Sequence, residues 1–233
     1  MRRSIPTGMW RTDFLHEYKT SNFPSDVDEH LRTGQKLVVA LPPHAGPRVG
    51  WDGNPLATGA AAINHFLQGL ADLAEDVTEL KIIIRGKNDN WVEDVRFAAT
   101  AARIGRLPNI TVSRDYGRRN ESYRLCAKAS LIIAKYTSLV DEALAVGIPC
   151  VVHDFTANSR DFIRPAVPYL PRRIWAEDEQ ELREGVEFAL RTDGAAFKGW
   201  WEPHRTRLYG HLNDGHVRER SRATMASLTR EGR

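Results

Sequence analysis

The stretch that decides the fold is Leu131–His153, which reads LIIAKYTSLVDEALAVGIPCVVH. Its first four residues are apolar and have the length of a buried strand. A helix is predicted to begin near Thr137 and Ser138, because apolar side chains then recur every three or four residues, and to end at Gly147. A second apolar run, residues 150–152, follows directly. The stretch therefore predicts a strand, a helix and a strand, the crossover unit of a parallel sheet.

Three further apolar runs precede this unit and alternate with helical patterns. These runs cover residues 37–41, 80–84 and 110–112. With Ile174-Trp175 as a candidate sixth strand, the pattern predicts an α/β fold, a doubly wound, Rossmann-like parallel sheet of five or six strands. Right-handed crossovers and the commonest doubly wound arrangement give the strand order 3-2-1-4-5, which reverses the chain between the first and fourth strands. Ligands bind such sheets where the carboxyl ends of those two strands separate, so loops 42–55 and 135–138 are predicted to border a site.

Three further segments have the sequence pattern of a helix. One has an apolar stripe formed by Ile63, Phe66, Leu67, Leu70 and Leu73. A second is predicted as a single helix over residues 91–104, closed by Gly105. A third, residues 179–190, begins with acidic side chains, as the helix dipole favours.

Composition and charge narrow the functional class. Hydrophobic residues make up 42% of the 233 residues and charged residues 27%, which is typical of a globular protein. A net charge of +3 does not favour a nucleic-acid-binding surface. No apolar run approaches the roughly 20 residues of a membrane span, and the N-terminus lacks the apolar core of a secretory signal. A cytoplasmic protein is expected, with a contact at the inner membrane face as a further option.

The start of the helix after Leu131–Ala134 holds the residues with the clearest chemistry. Ser138 and Asp141 fit a capping box, with Ser as the N-cap and an acid three residues later, and this reading needs no ligand. Glu142 lies one turn after Ser138 on the same face, where an apolar helix face would not place an acid. Ser138 and the free N–H groups of a helix start suit a phosphate, and Glu142 suits sugar hydroxyls. Lys135 would add a positive charge near the phosphate. Alternatively, it is only a solvated residue at the end of a strand.

This stretch resembles the donor-binding region of the GT-B glycosyltransferases. Related patterns occur in capsule-polysaccharide and CDP-glycerol transferases and in UDP-N-acetylglucosamine 2-epimerase. The resemblance is carried by the small polar residues at the helix start, the acid one turn later, and the Gly147-Ile-Pro149 sequence that leads into the next strand. It implies that Ser138 with Thr137 contacts the nucleotide phosphates and that Glu142 contacts the ribose.

Two other segments resemble parts of the same donor site. Arg85-Gly-Lys87 follows the second strand, as does the basic motif that such transferases place beside the donor phosphates, although Arg85 replaces a more usual Lys-Pro-His run. Asp115-Tyr116 follows the third strand and resembles the loop that borders the nucleotide base. Ordinary loop charge is the alternative for Arg85 and Lys87, and a surface anchor is the alternative for Tyr116.

The loop over residues 42–55 supplies the remaining candidates. Gly46 and Arg48 could approach a phosphate or an acceptor, or could serve only the turns of the loop. His44 is the one histidine expected near the crevice, but a non-catalytic role is favoured because most histidines in such loops are not catalytic. The catalytic residue is therefore left unknown. No metal or cofactor is implied, since the nucleotide-sugar would be the substrate.

The resemblance covers roughly residues 36–195 and only the C-terminal, donor-binding half of a GT-B enzyme. The first half of such an enzyme supplies the acceptor site and usually the catalytic base. The sequence therefore predicts a nucleotide-sugar donor-binding domain of a glycosyltransferase, expected to serve surface polysaccharide synthesis. A missing N-terminal acceptor domain or a partner chain would complete it. A non-catalytic nucleotide-binding partner subunit and half of a sugar-nucleotide epimerase are the alternatives.

The sequence is predicted to divide into three segments. Residues 1–34 form an N-terminal extension or linker, and residues 35–212 form the Rossmann-like, nucleotide-sugar-binding domain. Residues 213–233 form a basic C-terminal helix with three readings: a solvated helix face, a helix that crosses to a partner domain, or a weak contact with an anionic membrane. Composition favours the first reading, and the family resemblance suggests the second.

Overall fold

The computed structural model describes residues 6–21, 35–43, 60–86, 90–114, 120–153 and 164–231. The strands in this part form one parallel sheet with the order β3-β2-β1-β4-β5-β6. They are β1 Lys36–Leu41, β2 Leu80–Ile84, β3 Ile110–Val112, β4 Leu131–Ala134, β5 Cys150–His153 and β6 Trp175–Ala176. The predicted order of the first five strands is confirmed. The sixth strand joins the edge beside β5, and it begins one residue later than predicted because Ile174 ends a 3-10 turn.

The reversal of the chain lies where it was predicted, between β1 and β4. Val38 of β1 pairs with Ile82 on one side and with Leu131 on the other, so β1 is a central strand. Residues 37–41 and 131–134 are buried and apolar on both faces of the sheet. Continuous apolar strands of this kind are stable only when helices cover both faces of a parallel sheet.

Five of the helices in the described chain lie between successive strands, one precedes β1 and three follow β6. They are α1 Thr12–Thr20, α2 Ala60–Asp76, α3 Ala98–Ile104, α4 Glu121–Lys128, α5 Ser138–Ala145, α6 Arg164–Ala166, α7 Glu179–Leu190, α8 Ala195–Tyr209 and α9 Val217–Glu231. The predicted apolar stripe of α2 is buried along its length. None of the described helices is both long enough and apolar enough to span a bilayer.

The single helix predicted over residues 91–104 is wrong. The structure divides it into two 3-10 turns, Asn90–Val92 and Val95–Phe97, followed by α3. Asp94 has extended backbone angles, and its carboxylate accepts the backbone N–H of Arg96 at 3.0 Å. A side chain that bonds its own backbone in this way competes with the helical hydrogen bonds, so the α-helix begins only at Ala98.

The first and last helices pack against each other. Asp13 of α1 is only 3% exposed, and its carboxylate accepts the backbone N–H groups of Val217 at 3.0 Å and Arg218 at 2.7 Å. These are N–H groups at the start of α9, which have no partner within their own helix. Asp13 therefore caps α9 from a distant part of the sequence. Farther along α9 the side chains are exposed, as at Met225.

Candidate functional site at the carboxyl edge of the sheet

Two buried basic residues follow strands on either side of β1. Arg85 follows β2 and Lys135 follows β4, and each is 8% exposed. The backbone N–H of Arg85 donates to the carbonyl of Ala40 at 2.8 Å, which holds it against the end of β1. Both side chains are cationic, so positive charge is concentrated at this edge of the sheet.

The N-cap of α5 is Thr137 rather than Ser138. Thr137 has extended angles of φ −150° and ψ 157°, and its hydroxyl accepts the N–H of Leu139 at 3.4 Å. The predicted capping box of Ser138 and Asp141 is therefore wrong, because with Thr137 as the cap its partner position is occupied by Val140. Ser138 is the first residue of the helix and is exposed.

Some of the backbone N–H groups at the start of α5 already have hydrogen-bond partners. The N–H of Val140 donates to the carbonyl of Thr137 at 2.9 Å. The bond from Leu139 to the Thr137 hydroxyl is long for a hydrogen bond. The N–H groups of Ser138 and Leu139 are therefore the ones that a ligand at the helix start can reach.

Asp141 is held by tyrosines instead of serving a cap. The hydroxyls of Tyr136 and Tyr209 each donate to its carboxylate at 2.6 Å, and that of Tyr169 donates at 3.2 Å. Burial and the neighbouring carboxylate raise the pKa of Tyr136 and of Tyr209 far above the ordinary value, so both hydroxyls remain donors. Asp141 therefore faces an internal polar cluster.

Glu142 faces another set of partners, which we call the Glu142 triad: Glu142, Tyr123 and Arg11. Glu142 is 5% exposed, and its Oε2 accepts the hydroxyl of Tyr123 at 2.6 Å. The Nε of Arg11, just before α1, lies 3.5 Å from Glu142 Oε1, and its NH1 donates to the Tyr123 hydroxyl at 3.3 Å. The triad joins α1, α4 and α5 at one point.

Burial decides the electrostatics of this triad. It raises the pKa of Glu142, while the Tyr123 hydroxyl and the Arg11 guanidinium act in the opposite direction. Burial and the bond to Glu142 raise the pKa of Tyr123 to about 12. The carboxylate is therefore costly to ionise, and its two neighbours offset part of that cost.

The far end of α5 is fixed by several hydrogen bonds. Gly147 has φ +80°, and the N–H groups of Gly147 and Ile148 donate to the carbonyls of Leu144 and Ala143 at 3.1 and 3.0 Å. This is a Schellman motif, which confirms the predicted helix end. The buried indole of Trp201 in α8 also donates to the Leu144 carbonyl at 2.8 Å. The helix that carries Ser138 and Glu142 is therefore anchored away from the site.

Several predicted site residues lie outside the described residues. They are His44, Gly46, Arg48, Lys87 and Tyr116. Within the described part of the chain, Ser138, Thr137, Lys135 and Arg85 lie at the carboxyl edge, and Glu142 lies one helical turn below Ser138. The described residues contain no group of three or more His, Cys, Asp or Glu side chains that could hold a metal ion.

Arg11 and Tyr123 had no signal in the sequence that linked them to Glu142. Arg11 belongs to the N-terminal segment, and Tyr123 is part of none of the motifs identified in the sequence. Tyr123 is half-buried, and the ring of Phe14 packs 5.6 Å from its own ring. A tyrosine placed between α1 and α5 can be recognised only once the two helices are seen side by side.

No protein-family model matches the sequence, and no curated protein matches it. Solved structures do match it over almost its whole length. One is a protein from Listeria monocytogenes assigned as a UDP-N-acetylglucosamine 2-epimerase, with a TM-score of 0.60 and 16% identity, covering 97% of this chain and 53% of that one. Another is a UDP-forming α,α-trehalose-phosphate synthase from Burkholderia xenovorans, with a TM-score of 0.55 and 12% identity, covering 96% of this chain and 51% of that one. A third is the wall teichoic acid polymerase TagF, with a TM-score of 0.51 and 13% identity, covering 95% of this chain and 49% of that one.

These likenesses show the fold. The chain has the fold of a GT-B C-terminal domain. It spans about half the length of the structures that it matches. The fold class predicted from the sequence, a doubly wound sheet like one half of a GT-B protein, is confirmed.

Proposed function

We propose that this chain is the nucleotide-sugar donor-binding half of a GT-B glycosyltransferase. The observation that carries the proposal is the placement of Ser138 and Glu142. An exposed hydroxyl at a helix start lies one turn from a buried carboxylate, at the edge where doubly wound sheets bind ligands. Two of the similar structures are named for UDP-linked chemistry, the 2-epimerase and the UDP-forming synthase.

The phosphates of the donor would lie at the start of α5. The N–H groups of Ser138 and Leu139 and the Ser138 and Thr137 hydroxyls would donate to phosphate oxygens. The buried cations Arg85 and Lys135, with Lys87 beyond the described residues, would offset the negative charge of the leaving nucleotide. Transfer by this arrangement requires no metal.

The ribose would lie against Glu142, whose carboxylate can accept hydrogen bonds from vicinal hydroxyls. The base would lie near Tyr116, and Gly46 and Arg48 would border the donor from the loop after β1. The acceptor site and the catalytic base would come from the other half of the enzyme, in the same polypeptide or in a partner chain. His44 remains the one candidate base on this chain.

We further propose that the transferase acts in surface polysaccharide synthesis, on the cytoplasmic side of the membrane. The likeness to a wall teichoic acid polymerase supports this role. Basic residues on α9, such as Arg222, are suited to a weak contact with an anionic bilayer surface. The proposal does not depend on that contact.

Titration calorimetry with UDP, CDP, GDP and CMP tests the donor site. At least one nucleotide is expected to bind, and Glu142→Gln should weaken its affinity about tenfold or more, since a hydrogen bond to a charged group is lost. Asp141→Asn is the matched control, because it removes the neighbouring carboxylate, which faces the tyrosines. A folded wild-type protein that binds none of the four would contradict the proposal.

A sugar-nucleotide epimerase half is the second candidate, favoured by the likeness to a 2-epimerase. A non-catalytic partner subunit is the third, favoured by the share of each matched structure that the chain spans. Incubation with UDP-N-acetylglucosamine separates them. Release of UDP with an altered sugar supports the epimerase, and binding without any turnover, with or without acceptors, supports the partner subunit.

A further inference from the structure

The two oxygens of Glu142 have different surroundings. Oε2 accepts a short hydrogen bond of 2.6 Å from the hydroxyl of Tyr123. Oε1 lies 3.5 Å from the Arg11 Nε, which is longer than an ordinary hydrogen bond. Each carboxylate oxygen has two lone pairs, so Oε1 has more acceptor capacity left for a ligand than Oε2.

Tyr123 fixes the rotation of the Glu142 carboxylate. Because its hydroxyl donates to Oε2, the plane of the carboxylate is set and Oε1 is held on the other side. The tyrosine ring is in turn supported by Phe14, whose ring lies 5.6 Å away, and Phe14 is covered by the guanidinium of Arg218 at 4.7 Å. The orientation of Glu142 therefore depends on residues from α1, α4 and α9.

Arg11 supplies a positive charge that offsets part of the cost of ionising this buried carboxylate. Its guanidinium contacts both other members of the triad, and its side chain is 48% exposed. Arg11 is therefore the member of the triad that solvent reaches, while the Glu142 side chain is only 7% exposed. Arg11 lies in the N-terminal segment, outside residues 36–195, so nothing in the resemblance assigns it a role.

We propose that Tyr123 and Arg11 are positioning residues that hold Glu142 Oε1 ready for a ribose hydroxyl, so that they set the preference for ribonucleotides over deoxyribonucleotides. This inference rests on the proposed donor site. It explains how that site would select the sugar of the nucleotide. Tyr123 acts through orientation and Arg11 through charge. Neither residue touches the ligand in this account.

The test compares the affinities of UDP and 2′-deoxy-UDP, and of UDP and 3′-deoxy-UDP, by calorimetry. If another base binds more tightly in the nucleotide panel, its diphosphate and deoxy forms are used. The wild type is expected to prefer the ribonucleotide over at least one deoxy form about tenfold, which corresponds to one hydrogen bond to a carboxylate. In Tyr123→Phe and Arg11→Gln this ratio should fall towards one, and Arg11→Lys should retain most of it.

The matched control for the tyrosine is Tyr136→Phe. It removes a hydroxyl that donates at the same distance of 2.6 Å to the neighbouring carboxylate of Asp141, so the ratio should not change. Arg103→Gln is the control for the arginine, because Arg103 pairs with Asp72 and Glu75, away from the Glu142 triad. Circular dichroism verifies that each variant is folded.

The outcomes separate the inference from the proposed function. A wild type that discriminates while Tyr123→Phe and Arg11→Gln keep its ratio overturns the inference alone, and so does an equal loss of affinity for both nucleotides. A wild type that binds UDP but shows no preference over either deoxy form overturns the role of Glu142 and the inference together. A folded wild type that binds no nucleotide overturns the proposed function, and the inference with it.

Discussion

At the scale of single residues, Asp141 and Glu142 are adjacent acids with opposite surroundings. Asp141 accepts from hydroxyls of three tyrosines, whereas Glu142 is buried beside one tyrosine and one arginine. Their side chains leave α5 in different directions because successive helical residues are turned by about 100°. The two acids therefore face different neighbours, and Glu142 is the one that the proposed site assigns to the ribose.

The buried position of Glu142 should make stability depend on pH. Its pKa is raised in the folded state, so the folded protein keeps this proton to a higher pH than the unfolded chain does. The free energy of unfolding should therefore decline as the pH rises from about 4, the value in unfolded chains, through the raised value. Glu142→Gln should remove the contribution of this carboxyl group to the decline in the free energy of unfolding.

Urea unfolding of the wild type and of Glu142→Gln at a series of pH values measures this effect. Glu219→Gln is the control, because Glu219 is an exposed residue of α9 that takes no part in the triad. Parallel curves for the wild type and Glu142→Gln would contradict the assignment.

At the scale of elements, the end of α5 could be predicted from the sequence, whereas the cap at the start of α9 could not. The Schellman end of α5 was predicted from Gly147, because its signal is local. The cap of α9 by Asp13 was not, since the two are 204 residues apart in sequence. The shift of the α5 N-cap from Ser138 to Thr137 is a difference of one residue between two good capping types.

Replacement of Gly147 by Ala tests the cost of the left-handed backbone alone. A Cβ at this position would meet nothing within 4 Å, and φ is +80°, so the loss should be about 1–2 kcal/mol of unfolding free energy. Gly199→Ala is the matched comparison, because it lies inside α8 with equally open space. That change should stabilise the protein by about 0.5–1 kcal/mol, and equal effects in chemical denaturation would refute the argument.

Replacement of Asp13 by Ala tests the contact between α1 and α9. It removes an acceptor from two backbone N–H groups, one of them buried, so a loss of about 2 kcal/mol is expected. Glu17→Ala, which breaks the more exposed pair with Arg218 at 3.0 Å, should cost about 0.5 kcal/mol or less. Similar losses in urea denaturation would mean that Asp13 is not a cap.

At the scale of the whole molecule, the fold was predictable because its signals are short. Apolar runs of strand length, broken by Gly and Pro, give the strands, and right-handed crossovers in the commonest doubly wound arrangement give their order. The surroundings of the site were not predictable. Tyr209 reaches Asp141 from 68 residues away, and Arg11 reaches Tyr123 from 112 residues away. Such pairs follow from the packing of helices, which no local pattern describes.

The whole chain matches about half the length of several larger structures. The donor site proposed here needs only the carboxyl edge of one sheet. Under the proposed function, sugar transfer would also need groups from the other half of the enzyme. Nucleotide binding should therefore be measurable on this chain, and sugar transfer only once the other half is supplied.

A crystal structure of the chain with bound UDP, or with whichever nucleotide binds most tightly, would locate the donor site. The phosphates are expected within hydrogen-bond distance of the Ser138 and Leu139 N–H groups, with a ribose hydroxyl on Glu142 Oε1. A nucleotide bound elsewhere on the chain, or one whose ribose does not touch Glu142, would contradict it.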